Sequence, residues 1–156
     1  MKREIHEYLA PLLRFLLGWF MFFAGIEKVL NPEWTASGFL MTAKTFPSFY
    51  AWFASAGNSW WVDPLNAWGL TLVGVALLLG VAIRPAALAG FALMILYYFP
   101  HVDFPNVPHG FIVEEHIIYG AAFLLVAFLP AAKRFGLSRA LHYSFIGRIP
   151  VIGKLL

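Results

Sequence analysis

Leu9-Ala-Pro-Leu-Leu-Arg14-Phe-Leu-Leu-Gly18-Trp-Phe-Met21-Phe-Phe-Ala-Gly25-Ile26 is an apolar run broken by a single charge. A helix needs roughly 20 such residues to cross the hydrocarbon of a bilayer. Lys2 and Arg3 stand in front of it, as in a secretory leader. Glu4, Glu7 and Arg14 do not suit a leader, and three more apolar runs follow, so the stretch reads as a retained first span.

The second run is Leu65 to Ile83, closed by Arg84-Pro85, and the third is Ala86 to Phe99, closed by Pro100. The third is short, roughly 21 Å as a helix. The fourth, Ile117 to Ala132, is entered through Glu114, Glu115 and His116 and left through Lys133 and Arg134. The expected architecture is all-α: one membrane domain, 1–156, forming a four-helix bundle with spans near 8–29, 65–84, 85–101 and 113–132.

Composition agrees. Of 156 residues, 61% are hydrophobic and 12% charged, against about 25% charged in a soluble domain. A soluble globule could not cover its surface from this stock, and a disordered chain needs the opposite balance. The absence of cysteine excludes disulfides, iron–sulfur clusters, thiolate metal sites, thiol nucleophiles and any cysteine-based cofactor. A net charge of +3 could suggest nucleic acid. The positions of the cations argue otherwise. Lys2, Arg3, Arg84, Lys133, Arg134, Arg139, Arg148 and Lys154 fall on one side of the four spans, and Lys28 and Lys44 on the other. That asymmetry is a topology signal, with both termini cytoplasmic. A multi-pass protein of a prokaryotic plasma membrane is expected.

The longest connection, interfacial segment 33–62, carries Trp34, Phe39, Phe46, Phe49, Tyr50, Trp52, Phe53, Trp60 and Trp61. Rings in that number suit the headgroup level, so one or two short helices are expected on the outer face, broken near Pro47 and Gly57. The tail, 133–156, mixes cations with Leu141, Phe145, Ile146, Ile149 and Ile152, as an amphipathic segment along the inner leaflet would.

Polar residues at membrane depth are candidates for function. At 100° per residue, Arg14, Gly18, Met21, Gly25 and Lys28 share one stripe of the first span. The stripe either faces the bundle interior, bringing Arg14 into a polar pocket, or lets Arg14 snorkel to headgroups. Glu27 and Lys28 end the first span on the side where Glu114, Glu115 and His116 open the fourth. His101, Asp103 and His109 lie between the third and fourth. A cluster of acids, imidazoles and an ammonium there suits proton exchange with a redox-active or acidic ligand. Alternatively the groups mark the water boundary and pair among themselves. Lys28, Glu115 and His116 are the expected core of one site, with Glu115 and His116 doing chemistry and Arg14, Lys28, Glu27 and Tyr119 holding a ligand. His101 and His109 form a second tier. No metal is expected. The weaker alternative is a metal on His101, His109 and His116, but no HxxxH or HExxH spacing supports it. There is also no Gly-rich phosphate loop and no serine–histidine–acid order.

The chain resembles the DoxX/DoxD family of small four-span prokaryotic membrane proteins. The likeness rests on Arg14-Phe-Leu-Leu-Gly18, Phe23-Ala-Gly-Ile-Glu-Lys28 with Asn31-Pro32, Gly74-Val-Ala-Leu-Leu-Leu-Gly80 with Arg84-Pro85, and the Phe135-Gly-Leu-Ser138 exit. The resemblance implies a membrane subunit. Some members are linked to thiosulfate:quinone oxidoreductase and others to thiol or oxidative-stress systems. The expected function is a subunit of a quinone-linked oxidoreductase, with a quinone as cofactor and other redox subunits or further copies as partners in the bilayer. The alternative is a non-catalytic scaffold, assembly subunit or small-solute carrier.

Overall fold

The computed structural model describes residues 2–108 and 110–137. His109 and the expected amphipathic tail from Ser138 onward lie outside the described residues. Six α-helices are present among the described residues: α1 (Lys2–Leu30), α2 (Ser37–Met41), α3 (Pro47–Ala54), α4 (Ser59–Leu79), α5 (Ile83–His101) and α6 (Glu115–Phe128). Between α5 and α6 lies a small hairpin, β1 (Asn106–Val107) and β2 (Gly110–Phe111), in which Asn106 faces Phe111 and Val107 faces Gly110. This hairpin departs from the all-α expectation. Pro105 and Pro108 forbid a helix there, so the backbone groups pair across a turn instead.

Among the described residues, three helices are long and apolar enough to cross a membrane: α1 over Glu7–Leu30, α4 and α5. The stretch expected as a fourth span, 113–132, divides. Helix α6 is 14 residues long, about 21 Å. It ends at Phe128, and a 3₁₀ turn over Pro130–Lys133 follows. Pro130 cannot continue the α-helical ladder and opens that turn.

Helix α4 begins at Ser59, not near residue 65, and stops before Gly80, not at 84. Trp60 to Pro64 are therefore helical rather than part of the connection. Pro64 sits early in α4, where it removes one intrahelical bond, the one to the Trp60 carbonyl. At the other end Gly80 takes φ 68°, a left-handed cap that ends the helix.

The stripe on α1 faces inward, against α4. A Cβ on Gly25 would lie 2.4 Å from the Thr71 nitrogen, and one on Gly74 would lie 2.3 Å from the Phe22 nitrogen. Only hydrogens fit at this crossing, so the two backbones touch. Around it Met21, Leu70, Leu77, Ala87, Met94 and Phe123 form the buried core.

Two short helices, α2 and α3, fold the α1–α4 connection over the end of the bundle where α1 and α5 finish. Helix α3 starts at Pro47, with Phe46 before it in the left-handed region at φ 56°. Proline at the first helical position loses nothing, because that N–H has no helical partner anyway. The break expected at Pro47 is thus a start. Side chains stitch this cap to α5: the Thr45 hydroxyl donates to the Val102 carbonyl at 2.6 Å and the Tyr50 hydroxyl to the Leu96 carbonyl at 3.1 Å. Asp63 on α4 accepts from the Ala36 N–H at 2.9 Å.

Candidate functional site

Under the cap lies a cavity of about 390 Å³. The size is within the range of small-molecule sites. The cap supplies Trp34, Phe39, Leu40, Phe49, Tyr50 and Phe53; α4 supplies Trp61, Val62, Leu65 and Asn66; α5 supplies Leu93, Leu96 and Tyr97. Lys28 reaches it from α1 and His116 from α6. The walls are mainly apolar, and the polar groups are few.

Lys28 donates to the Ala24 carbonyl one turn back, at 2.7 Å, and lies 5.4 Å from the centre of the Trp34 ring. It forms no ion pair among the described residues. An ammonium carries three N–H donors, so two remain. Asn66 donates through Nδ2 to the Tyr97 hydroxyl oxygen at 2.7 Å. Its Oδ1 is buried and has no hydrogen-bond partner among the described residues. An unpaired buried acceptor costs about 1–3 kcal/mol. Tyr97 stands between the cap and α6, edge-on to Phe39 and to His116, each with ring centres 6.3 Å apart. Burial also raises the pKa of the Tyr50 hydroxyl above its usual value, which keeps it a donor to Leu96.

Glu114 organises the α6 end. Its backbone is extended, and its carboxylate caps the helix by accepting from the His116 N–H at 2.9 Å. The same carboxylate takes His116 Nδ1 at 2.8 Å. With Nδ1 held, the ring nitrogen left for a ligand is Nε2. His101, about half exposed, stands 3.8 Å from Glu114 through Nε2. Ligand atoms of Glu114, Glu115 and His116 all lie within 4.8 Å of one another.

The residues expected to form one site do not all meet. Lys28 and His116 line the same cavity. Glu115 is exposed at the first turn of α6, and Glu27 is exposed at the end of α1; neither borders the cavity. The carboxylate that engages His116 is Glu114, because the helix starts one residue later and the cap position turns its side chain back. Tyr119 packs against Phe20, ring centres 5.1 Å apart, a turn deeper than His116. Asn66 and Tyr97 are cavity residues that the sequence reading did not assign to the site. A lone amide near the start of the second apolar run was the available signal for Asn66.

Arg14 lies at the opposite end of the bundle. It is buried, and Nη1 donates to the Ala132 carbonyl at 2.7 Å and the Arg134 carbonyl at 3.1 Å. Nε has no partner among the described residues. Gly80 and Gly136 touch beside it, a Cβ on Gly80 falling 2.5 Å from the Gly136 Cα. The Leu137 N–H donates to the Leu79 carbonyl at 2.9 Å, and Arg134 pairs with Glu7. Arg14 therefore faces inward and is held through Nη1 by backbone carbonyls, some 14 residues of α1 away from Lys28.

A family model described as DoxX matches residues 9–101. That stretch holds Arg14, Lys28, the cap, Asn66 and Tyr97; Glu114 and His116 lie beyond it. No curated protein and no solved structure matches the chain. The match covers more than half of the sequence, and the chain belongs to the DoxX family.

Proposed function

We propose that this DoxX-family membrane protein is a subunit of a quinone-linked oxidoreductase and holds the ring of a quinone in the cavity beneath the α2–α3 cap. The observation that carries the reading is a mainly apolar cavity of about 390 Å³ bordered by Lys28, Asn66, Tyr97 and His116. Aromatic walls suit a flat ring. The spare donors of Lys28 suit its oxygens.

A bound quinone supplies a couple of two electrons and two protons. The chain's own part is to hold, orient and exchange protons. Lys28 presents two N–H groups to an oxygen while Ala24 and Trp34 fix its ammonium. His116, tied through Nδ1 to Glu114, gives or takes a proton at Nε2. Glu114 fixes the tautomer, and the exposed His101 and Glu115 pass protons to water. The chain has no cysteine, so electrons come from the substrate directly or through a partner subunit rather than through a thiol of its own.

In this reading α6 and its 3₁₀ exit make the fourth crossing of a prokaryotic plasma membrane. The cap then lies at the outer face and Arg14 near the inner one. Single cysteines at exposed Ser55 and Lys133 test the orientation: an impermeant maleimide on intact cells should label only the first. The function itself is tested by solvent extraction of protein purified in mild detergent. Close to one quinone per chain is expected. Phospholipid alone would reject the reading in favour of a scaffold or carrier.

A further inference from the structure

The cavity walls carry one lysine and no carboxylate. Glu27, beside Lys28 in the chain, and Glu33, beside Trp34, are exposed and do not border the cavity. Asp63 accepts from the Ala36 N–H, and Glu114 is tied to His116. Among the described residues no acid stands within ion-pair distance of Lys28. Other polar groups of the wall are spent inside the protein. The Tyr50 hydroxyl donates to the Leu96 carbonyl at 3.1 Å, Trp61 Nε1 to Asn58 Oδ1 at 3.3 Å and the Thr35 hydroxyl to Ser37 Oγ at 3.0 Å. Lys28 gives one N–H to the Ala24 carbonyl and keeps two. A half-buried charge against apolar walls, poorly screened and without a counter-ion, is the group there with most to gain from a ligand.

We infer that the cavity takes its ring as an anion: an acidic quinone, whose ring hydroxyl is ionised at neutral pH, with the enolate oxygen on the Lys28 ammonium. The inference rests on the proposed quinone-linked function and names the class of quinone. A neutral quinone carbonyl can also accept from Lys28, but it leaves the ammonium charge without a counter-ion. An enolate accepts the same N–H groups and supplies the missing charge, and hydrogen bonds in which the partners are ionised are the stronger ones. Bringing an anion out of water is costly, and a cation already standing on the wall offsets that cost. The walls hold no carboxylate to repel it. Trp34, with its ring centre 5.4 Å from Nζ, stands against the ammonium on one side. Lys28 is therefore the residue that sets the preference, and it does so by charge rather than by the outline of the ring.

The probes are lawsone, a naphthoquinone whose ring hydroxyl is ionised at neutral pH, and its methyl ether, the same ring without an ionisable group. Each is titrated at neutral pH into the full chain in detergent. Binding is followed by quenching of tryptophan emission, since Trp34 and Trp61 border the cavity. Lawsone should bind at least about tenfold more tightly than its ether. Lys28→Met should bring the ratio of the two affinities close to one, and Lys28→Arg, which keeps the charge, should retain the preference. Partition of the probes into micelles is common to parent and variants, so a change in the ratio belongs to the protein. Helical content by circular dichroism shows whether each variant is folded; if Lys28→Met is not, Lys28→Gln replaces it. Equal affinities in the parent protein, a preference for the ether, or a preference that survives removal of the charge would each overturn the inference while leaving a ring-binding site in place. Failure of both probes to bind would overturn the proposed function together with it.

Discussion

Arg14 and Lys28 sit on the same stripe of α1, yet the two ends of the bundle treat them in opposite ways. At the Arg14 end the guanidinium is sunk among backbone carbonyls of Ala132 and Arg134, and the glycines beside it let the chain close tightly. At the Lys28 end the ammonium has one carbonyl from its own helix and a tryptophan face, and it borders the cavity. A buried cation tied to backbone carbonyls of another segment holds a structure together. One with donors to spare, beside a cavity, is available to a ligand. The lesson is that polar residues at membrane depth separate by their partners, not by their position on a helical wheel.

The comparison depends first on the α1–α4 crossing, which keeps the two ends apart at a fixed distance. Gly74→Val should do the most damage, because its Cβ alone would meet the Phe22 backbone at 2.3 Å. No monodisperse folded species is expected on size exclusion in detergent. Next, Arg14→Leu should lower stability by about 2 kcal/mol, since it strips one buried and one partly buried carbonyl of a charged donor. Thermal unfolding in detergent checks this, and an unchanged midpoint would break the distinction between the ends. Lys28→Met should do the converse. Stability should stay within about 1 kcal/mol, because a single polar contact inside a membrane bundle contributes little, while affinity for a quinone ring falls about tenfold. The smallest effects separate the two adjacent acids: Glu114→Ala should cost about 1 kcal/mol through loss of the helix cap, and Glu115→Gln, exposed and outside the cavity, should leave stability unchanged.

Much of this organisation was legible in the sequence. Long apolar runs locate α1, α4 and α5, because a helix that must be apolar along its whole length leaves an unmistakable stretch. Boundaries were less legible. Trp60 to Pro64 look like a continuation of the aromatic connection, but Trp61 and Val62 bury against the cavity, and that tertiary contact extends α4 by about a turn and a half. The meeting of Lys28 with His116 follows from the alternation of helix direction along the chain. The choice of Glu114 over Glu115 does not. It turns on which residue holds the cap position, and glutamate is not among the residues that usually announce one. The Asn66–Tyr97 contact joins residues 31 positions apart on two helices, and no local pattern encodes a contact of that kind.

The stitching of the cap has a kinetic side. Thr45, Tyr50 and Lys44 anchor the roof of the cavity to the carbonyls of Val102, Leu96 and Pro100 on the last turns of α5 and just beyond. A ring bulkier than the gap between these anchors can leave only when some of them let go. Residence time then depends on the rate at which the roof lifts, while affinity depends on the groups beneath it. A molecule caught there during synthesis would exchange slowly and travel with the protein through purification.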